Sequence, residues 1–298
     1  MSATRPGKVW LVGAGPGDPE LLTLKAVRVL AQAEVVLVDD LVDRAVLQHA
    51  PQGVRVVEVG KRAGCPSTPQ AFIERLLVHE ARAGRRVVRL KGGDPMVFGR
   101  AGEEIDALRA AGIEVEVVPG VSAGLAAAAD LGVPLTDRRA AQGVAFVTGH
   151  TQTGGRQPDW AALARSGLTL VVYMGLRRAG AIARALRDGG AREDTPVAAV
   201  LHASLPAVSR RLTTLGALAE SEGEADTGAG SRGAPGVLLV GDVLRALAAL
   251  AGAAGSLPGT VRGVACGVAP GFAPGGVDPG GPGGGVAAAG IIAACDAA

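Results

Sequence analysis

Short aliphatic and β-branched runs alternate with amphipathic segments through the first 120 residues. The runs are KVWLVG (8–13), EVVLVDD (34–40), RVVEVG (55–60), RRVVRLKGG (85–93) and IEVEVVPG (113–120), each closing on Gly or Asp. Between them, PELLTLKAVRVLAQA (19–33) and PQAFIERLLVHEARAG (69–84) carry apolar residues at helical spacing. Short apolar runs separated by such helices predict a mostly parallel sheet covered by helices. The helix at 69–84 has Ser67 and Thr68 as N-cap candidates, Pro69 in its first turn and Gly84 just past its end.

A second αβ block follows LGVPLTDRR (131–139), with GVAFVTGH (143–150), LTLVVYMG (168–175), TPVAAV (195–200), AVSRRLTTL (207–215) and GVLLVGDV (236–243) as strands. The fold class is therefore α/β, with two αβ domains over 1–135 and 136–250 fitting the length better than one giant sheet. The polar, Gly-rich stretch SEGEADTGAGSRGAPG (221–236) predicts an exposed flexible loop. From residue 251 periodicity and charge both fade, and Gly and Pro reach 19 of the last 48 residues. A disordered Gly/Ala/Pro-rich tail is expected over 251–298.

Composition narrows the function. Aromatic residues are 2% and formal charge is +2, so neither base stacking nor a basic footprint supports nucleic-acid binding. Of 30 basic residues 26 are Arg, whose fork fits carboxylates and phosphates, although a GC-rich gene gives the same bias. Cys65, Cys266 and Cys295 are isolated, so neither a metal site nor a disulfide framework is indicated. With no apolar leader and no run of about 18 apolar residues, a soluble cytoplasmic protein without membrane association is expected.

The chemistry-bearing segments gather at strand ends. VGAGPGDPELLTLKA (12–26) is a strand, a Gly-rich turn and a helix, with Asp18 where a dinucleotide fingerprint has its third Gly. A carboxylate at that helix start disfavours a pyrophosphate, and no Gly-Lys-Ser/Thr follows for a P-loop. A backbone loop for close ligand approach, or simply a tight turn with Asp18 as a cap, is what remains. RLKGGDPMVFGRAGEE (89–104) places Gly92, Gly93 and Asp94 just past a strand, where open parallel sheets bind small molecules, and Asp94 could accept from an ammonium or ribose hydroxyl. Gly120-Val121-Ser122-Ala123-Gly124 formally matches a nucleophile elbow, yet no upstream oxyanion segment accompanies it. Asp39 and Asp40, with Lys61 and Arg62, end two further strands on the same edge, the makings of a proton-transfer site for an anionic substrate. His150, following a strand, is the one histidine singled out for testing.

Together VGAGPGDPELLTLKA, VVLVDDLV, VGKRAG, VVRLKGGDPMVFGRAGEE, VVPGVSAG, GVPLTDR, VTGH and VVYMGL resemble the uroporphyrinogen-III C-methyltransferases of the tetrapyrrole methylase superfamily, over residues 8 to about 248. The resemblance implies S-adenosylmethionine in a cleft between two αβ domains, a homodimer, and methylation of two pyrrole carbons of uroporphyrinogen III to precorrin-2, for sirohaem or cobalamin. It implies cofactor contacts from Pro16, Gly92, Gly93, Asp94, Val97, Ser122, Ala123 and Met174, with Asp39 as proton acceptor and Lys61 as donor. Arg62, Arg100, Arg138 and Arg139 would meet the substrate carboxylates. Ala203 stands where the family commonly has a Gly against the adenine. With no dehydrogenase or ferrochelatase segment ahead of the methylase part, the expected reaction stops at precorrin-2. A later precorrin methyltransferase and a Ser122 hydrolase are the competing readings.

Overall fold

In the computed structural model residues 6–60, 68–150, 155–221 and 234–254 are described. The first sheet contains β1 (Lys8–Gly13), β2 (Val35–Val38), β3 (Arg55–Glu58), β4 (Val87–Lys91) and β5 (Glu114–Val118), all parallel, in the order β3-β2-β4-β1-β5. Alternation along the strands sorts the core into two layers. Val9, Leu11, Val35, Leu37 and Val87 pack under α2 (Gln70–Arg82) and α3 (Ala101–Ala110). Val12, Val36, Val38, Val88 and Leu90 pack under α1 (Leu24–Leu30). Each such side chain, fully buried, contributes about 1.5–3 kcal/mol. The chain leaves the neighbouring strands β1 and β4 toward opposite faces, which opens a crevice beyond their carboxyl ends.

The second sheet holds β6 (Val144–Thr148), β7 (Thr169–Tyr173), β8 (Pro196–Leu201), β9 (Ser209–Thr214) and β10 (Gly236–Val240) in the order β6-β7-β10-β8-β9. Only β6 and β7 run parallel; β10 is antiparallel to β7 and β8, and β8 to β9. The parallel sheet expected of the first half is thus found there, while the second αβ block, for which no strand direction is expected, forms a mixed sheet. The connection from β8 to β9 spans residues 202–208, too short for a crossover, so those strands must be antiparallel.

Helix α4 (Ala123–Leu131) corrects the expected grouping of elements. It buries Ala126, Ala127 and Leu131 against Val171, Ala198, Val200 and Leu239 of the second sheet, so packing changes sheets just after β5 rather than at residue 135. The opposite face of that sheet is covered by α5 (Trp160–Ala164), α6 (Ala179–Asp188) and α7 (Leu215–Glu220). Both sheets fall within one compact unit, Met1–Pro258.

Local signals were partly met. The segment 19–33 splits into a 3-10 turn, Pro19–Leu21, capped by Asp18, and α1, capped by the Thr23 hydroxyl. Gly84 ends α2 at φ +79, where a side chain would be strained. Thr68 does not cap that helix; its hydroxyl donates to the Gly60 carbonyl at 3.3 Å. The last helix among the described residues, α8 (Arg245–Ala254), runs beyond residue 250. Ser67, most of the loop at 221–236 and residues 255–298 of the expected tail lie outside the described residues. Among the described residues no helix is long and apolar enough to cross a membrane.

Candidate functional site

Three glycine-rich loops interlock beyond β1, β4 and β5. The Gly93 amide donates to the Gly15 carbonyl at 2.7 Å, the Gly15 amide returns a bond to the Gly93 carbonyl at 3.2 Å, and the Ala14 amide donates to Lys91 at 2.8 Å. Asp94 fastens the third loop, since its Oδ2 accepts from the Gly120 amide at 3.0 Å while Oδ1 accepts from Met96 at 2.8 Å. A Cβ on Gly120 would stand 2.3 Å from the Gly93 carbonyl oxygen, so backbone contact alone demands glycine there. Asp94 is therefore first a loop organiser, with one further acceptor direction left on each oxygen. Pro16, Gly92 and Val97 lie half-buried around this junction, and the Val97 amide donates to the Asp94 carbonyl at 3.2 Å.

The ends of β7 and β8 close over these loops. The Ser122 and Tyr173 hydroxyls are 2.7 Å apart, and Tyr173 also accepts from the Gly124 amide at 2.9 Å. Ser122 is buried and extended (φ −75°, ψ 146°) at the start of α4, with Ala123 half-buried beside it. A strained nucleophile on an elbow would look different, and the partner of Ser122 is a phenol rather than a base. Rings also gather here, contrary to the sparse aromatic composition: Phe98 and Phe146 lie 5.0 and 5.8 Å from the Tyr173 centroid. The Asp18 amide donates to the Ser204 hydroxyl at 3.1 Å, and the Ser204 amide donates to Asp130 at 2.7 Å.

Backbone strain clusters on the same loops. Phe98, Arg100, Met174, His202 and Ser204 all adopt left-handed φ between 51° and 67°. Non-glycine residues held in this way concentrate where a site over-determines its geometry. Ala203, between two of them, is buried and itself needs no glycine-only conformation.

Asp39, at the end of β2, meets a charge network that sequence reasoning missed. Its Oδ1 accepts from Arg89 Nη2 at 2.7 Å, Arg89 Nε donates to Glu104 Oε1 at 3.1 Å, and Lys91 Nζ reaches both Glu104 oxygens at 3.1 Å. Arg89, Lys91 and Glu104 are 2%, 3% and 0% exposed. Burial, followed by repulsion from Arg89, holds the Lys91 ammonium below its ordinary pKa, against the opposing pull of Glu104 and Asp39. The available signal was two cations at alternate positions of β4, a strand otherwise buried on both faces.

The remaining candidates divide. Arg100 makes a two-pronged bond to Glu103 at 2.8 and 2.7 Å, which raises its pKa and lowers that of Glu103. Arg139 is held in the same way by Asp137, whose carboxyl the Arg139 guanidinium drives far below the carboxylate range. Arg138 is exposed. Met174 is about half exposed, and His150 is exposed, its carbonyl accepting from the Thr148 hydroxyl at 2.7 Å. Lys61 and Arg62 lie outside the described residues. Among the described residues no group of three or more His, Cys, Asp or Glu could hold a metal ion.

Residues 8–219 match the family of Tetrapyrrole (Corrin/Porphyrin) Methylases. The chain is 54% identical over 239 residues to a uroporphyrinogen-III C-methyltransferase of Pseudomonas aeruginosa, covering 80% of this chain and 95% of that one. It is 47% identical over 242 residues to a siroheme synthase of Zymomonas mobilis, of which it spans 49%, and 80% of this chain is covered. Among solved structures, a Thermus thermophilus uroporphyrin-III C-methyltransferase complexed with S-adenosylhomocysteine superposes with a TM-score of 0.67 at 47% identity, over 80% of this chain and all of that one. A cobalt-precorrin-4 methyltransferase gives 0.69 at 28% identity, over 80% of this chain and 95% of that one.

Proposed function

The chain belongs to the tetrapyrrole methylase family, and from that premise we propose how its residues divide the work of an S-adenosylmethionine-dependent uroporphyrinogen-III C-methyltransferase. The observation that carries the assignment of the site is the three-loop junction at the crevice between β1 and β4, roofed by Tyr173 and the strained loops of the second sheet.

The residues present fit the cofactor. Gly93 sits at φ +68, and a Cβ there would lie in ordinary contact, 3.8 Å, with the backbone of Ser122 and Ala123, so the glycine brings its bare backbone alongside the Ser122–Ala123 loop in a conformation that disfavours side chains. In this reading Pro16, Gly92, Gly93, Asp94, Val97, Ser122, Ala123, Met174 and Ala203 hold it, chiefly through main-chain groups. When bound, it supplies an electrophilic sulfonium methyl. Interlocked loops fix the approach of the two reactants, and such orientation can supply about 7–11 kcal/mol of the barrier to a bimolecular transfer.

Alkylation of an electron-rich pyrrole carbon leaves a proton to be lost. Asp39, anchored on Arg89 yet 29% exposed, takes that proton, the one net proton lost per methyl transferred, and Lys61 is the proton donor of a tautomeric shift in which one ring position gains a proton as another loses one. Arg62, Arg100, Arg138 and Arg139 meet the carboxylates of the porphyrinogen. Two successive transfers give precorrin-2, an intermediate for sirohaem or cobalamin, in a cytoplasmic homodimer for which exposed Leu24, Phe72 and Leu125 are candidate contact side chains. Product mass after incubation with uroporphyrinogen III and S-adenosylmethionine tests this directly. Two added methyl groups support the reading; one points to a sibling methylase, and none, with S-adenosylhomocysteine bound, overturns it.

A further inference from the structure

Side chains two apart on a strand share a face, so Arg89 and Lys91 both project from β4 beneath α2 and α3. Glu104, on α3, is wholly buried over them and accepts from Arg89 Nε, from Lys91 Nζ and, at 3.3 Å, from the side-chain Nε2 of Gln70 on α2. All three nitrogens of the Arg89 guanidinium are then engaged: Nε by Glu104, Nη1 by the Leu90 carbonyl at 3.2 Å, and Nη2 by Asp39. Because β2 and β4 pair Leu37 with Arg89 and Val38 with Leu90, Asp39 falls at the mouth of this buried row. The result is two cations balanced by two carboxylates, of which only Asp39 reaches solvent.

Other charges around it are already paired or outward. Arg44 donates to the Asp39 carbonyl at 3.0 Å and is bonded to Glu58. Just ahead of α3 Arg100 pairs with Glu103 of that helix, while Glu74 of α2 acts on Arg100, and Asp40 beside Asp39 is exposed and has a partner of its own. Inside the row Arg89 thus faces Glu104, which attracts it, and Lys91, which repels it and competes for Glu104.

We propose that Glu104 and Lys91 are positioning residues of the methyltransferase: as a buried pair of opposite charge they lock the Arg89 guanidinium onto Asp39 and set how readily that carboxylate takes a proton. The inference rests on Asp39 being the proton acceptor. Its physical content is a sign. Removing the Glu104 charge leaves Asp39 alone against two cations, which favours its ionised form and weakens it as a base; removing the Lys91 charge does the reverse.

The test is the kcat–pH profile of purified full-length variants, with S-adenosylhomocysteine affinity by calorimetry as the readout of an intact cofactor site. Glu104→Gln should lower kcat by about 10-fold or more, leave KM and S-adenosylhomocysteine affinity within about 2-fold, and move the acid limb to lower pH. Lys91→Met should move that limb to higher pH. The double variant Glu104→Gln/Lys91→Met, which removes one charge of each sign, should bring it back toward the wild-type position. Should Glu104→Gln fail to fold, Lys91→Met and the double variant still decide the matter. Limbs that stay in place, or shift the same way in both single variants, overturn the proposal. Asp39→Asn separates it from its premise. Wild-type turnover by that variant overturns the base assignment and this inference together, whereas lost turnover there with unmoved limbs elsewhere overturns the inference alone.

Discussion

The hydroxyl of Tyr173, at the end of β7, lies 2.7 Å from the hydroxyl of Ser122 and accepts the Gly124 amide at 2.9 Å, so a residue of the second sheet caps the helix that follows β5. Ser122 makes no capping bond of its own, which leaves that role to the phenol. We expect Tyr173→Phe to keep the ring contacts with Phe98 and Phe146 but leave two polar groups short of a partner. The cost should be about 1–3 kcal/mol in denaturant unfolding. Calorimetry should show weaker S-adenosylhomocysteine binding, because Ser122 and Ala123 lose the anchor of their loop. Unchanged stability would mean that the phenol bond is not formed in solution.

Asp94 offers a sharper separation of loop organisation from ligand contact. Asp94→Ala strips the acceptors of the Gly120 and Met96 amides together and should abolish measurable cofactor binding with a loss of about 1–3 kcal/mol in stability. Asp94→Asn keeps one acceptor oxygen and should fall between the two. If both variants bind S-adenosylhomocysteine like the wild type, the junction does not build the site.

Two glycines predict opposite outcomes for one substitution. At Gly120 a methyl group would press on the Gly93 oxygen at 2.3 Å and on Gly13, both backbone, so Gly120→Ala should displace the loops, lower the melting temperature and weaken binding. At Gly102, inside α3, nothing lies within 4 Å of the added carbon. There Gly102→Ala should stabilise by about 0.5–1 kcal/mol through helix propensity alone. Thermal unfolding of the pair, side by side, checks both signs.

The contrast between these glycines also marks how far sequence reaches. Among the described residues nine of the ten strands lie within the runs that predict them, and β8 passes the end of its run by one residue, Leu201, because aliphatic runs bounded by Gly carry a strong period. The allegiance of α4 was not legible: AGLAAAADL is small and apolar on most sides, so nothing in it selects which sheet to cover. Nor was the direction of β10, which depends on how the chain returns rather than on its apolar pattern. At the site, Asp39 and the loop residues stood out through position at strand ends. Arg89, Lys91 and Glu104 did not, since a charged residue in a strand reads as solvated until a partner such as Glu104, 13 residues past Lys91, is known to fold over it.

Stability toward acid should depend on Glu116, on β5. Lys25 Nζ lies 2.5 Å from its Oε1, Lys8 Nζ 2.8 Å from its Oε2, and the Trp10 indole donates to it at 3.1 Å. The Lys25 and Lys8 bonds bring its pKa down to about 2, from the ordinary 4.5. A carboxyl whose pKa is depressed on folding stabilises the folded state fully above its unfolded pKa and ceases to do so as pH falls through the folded value. The window here therefore runs from about pH 4.5 down to about pH 2. Glu116→Gln should be less stable than wild type by at most about 1 kcal/mol per partly exposed pair near neutral pH, and the two unfolding curves should converge through that window. Raising salt to about 1 M, where the screening length is near 3 Å, should shrink the neutral-pH difference. A gap that persists at pH 2 would assign the loss to the packing of Trp10 rather than to charge.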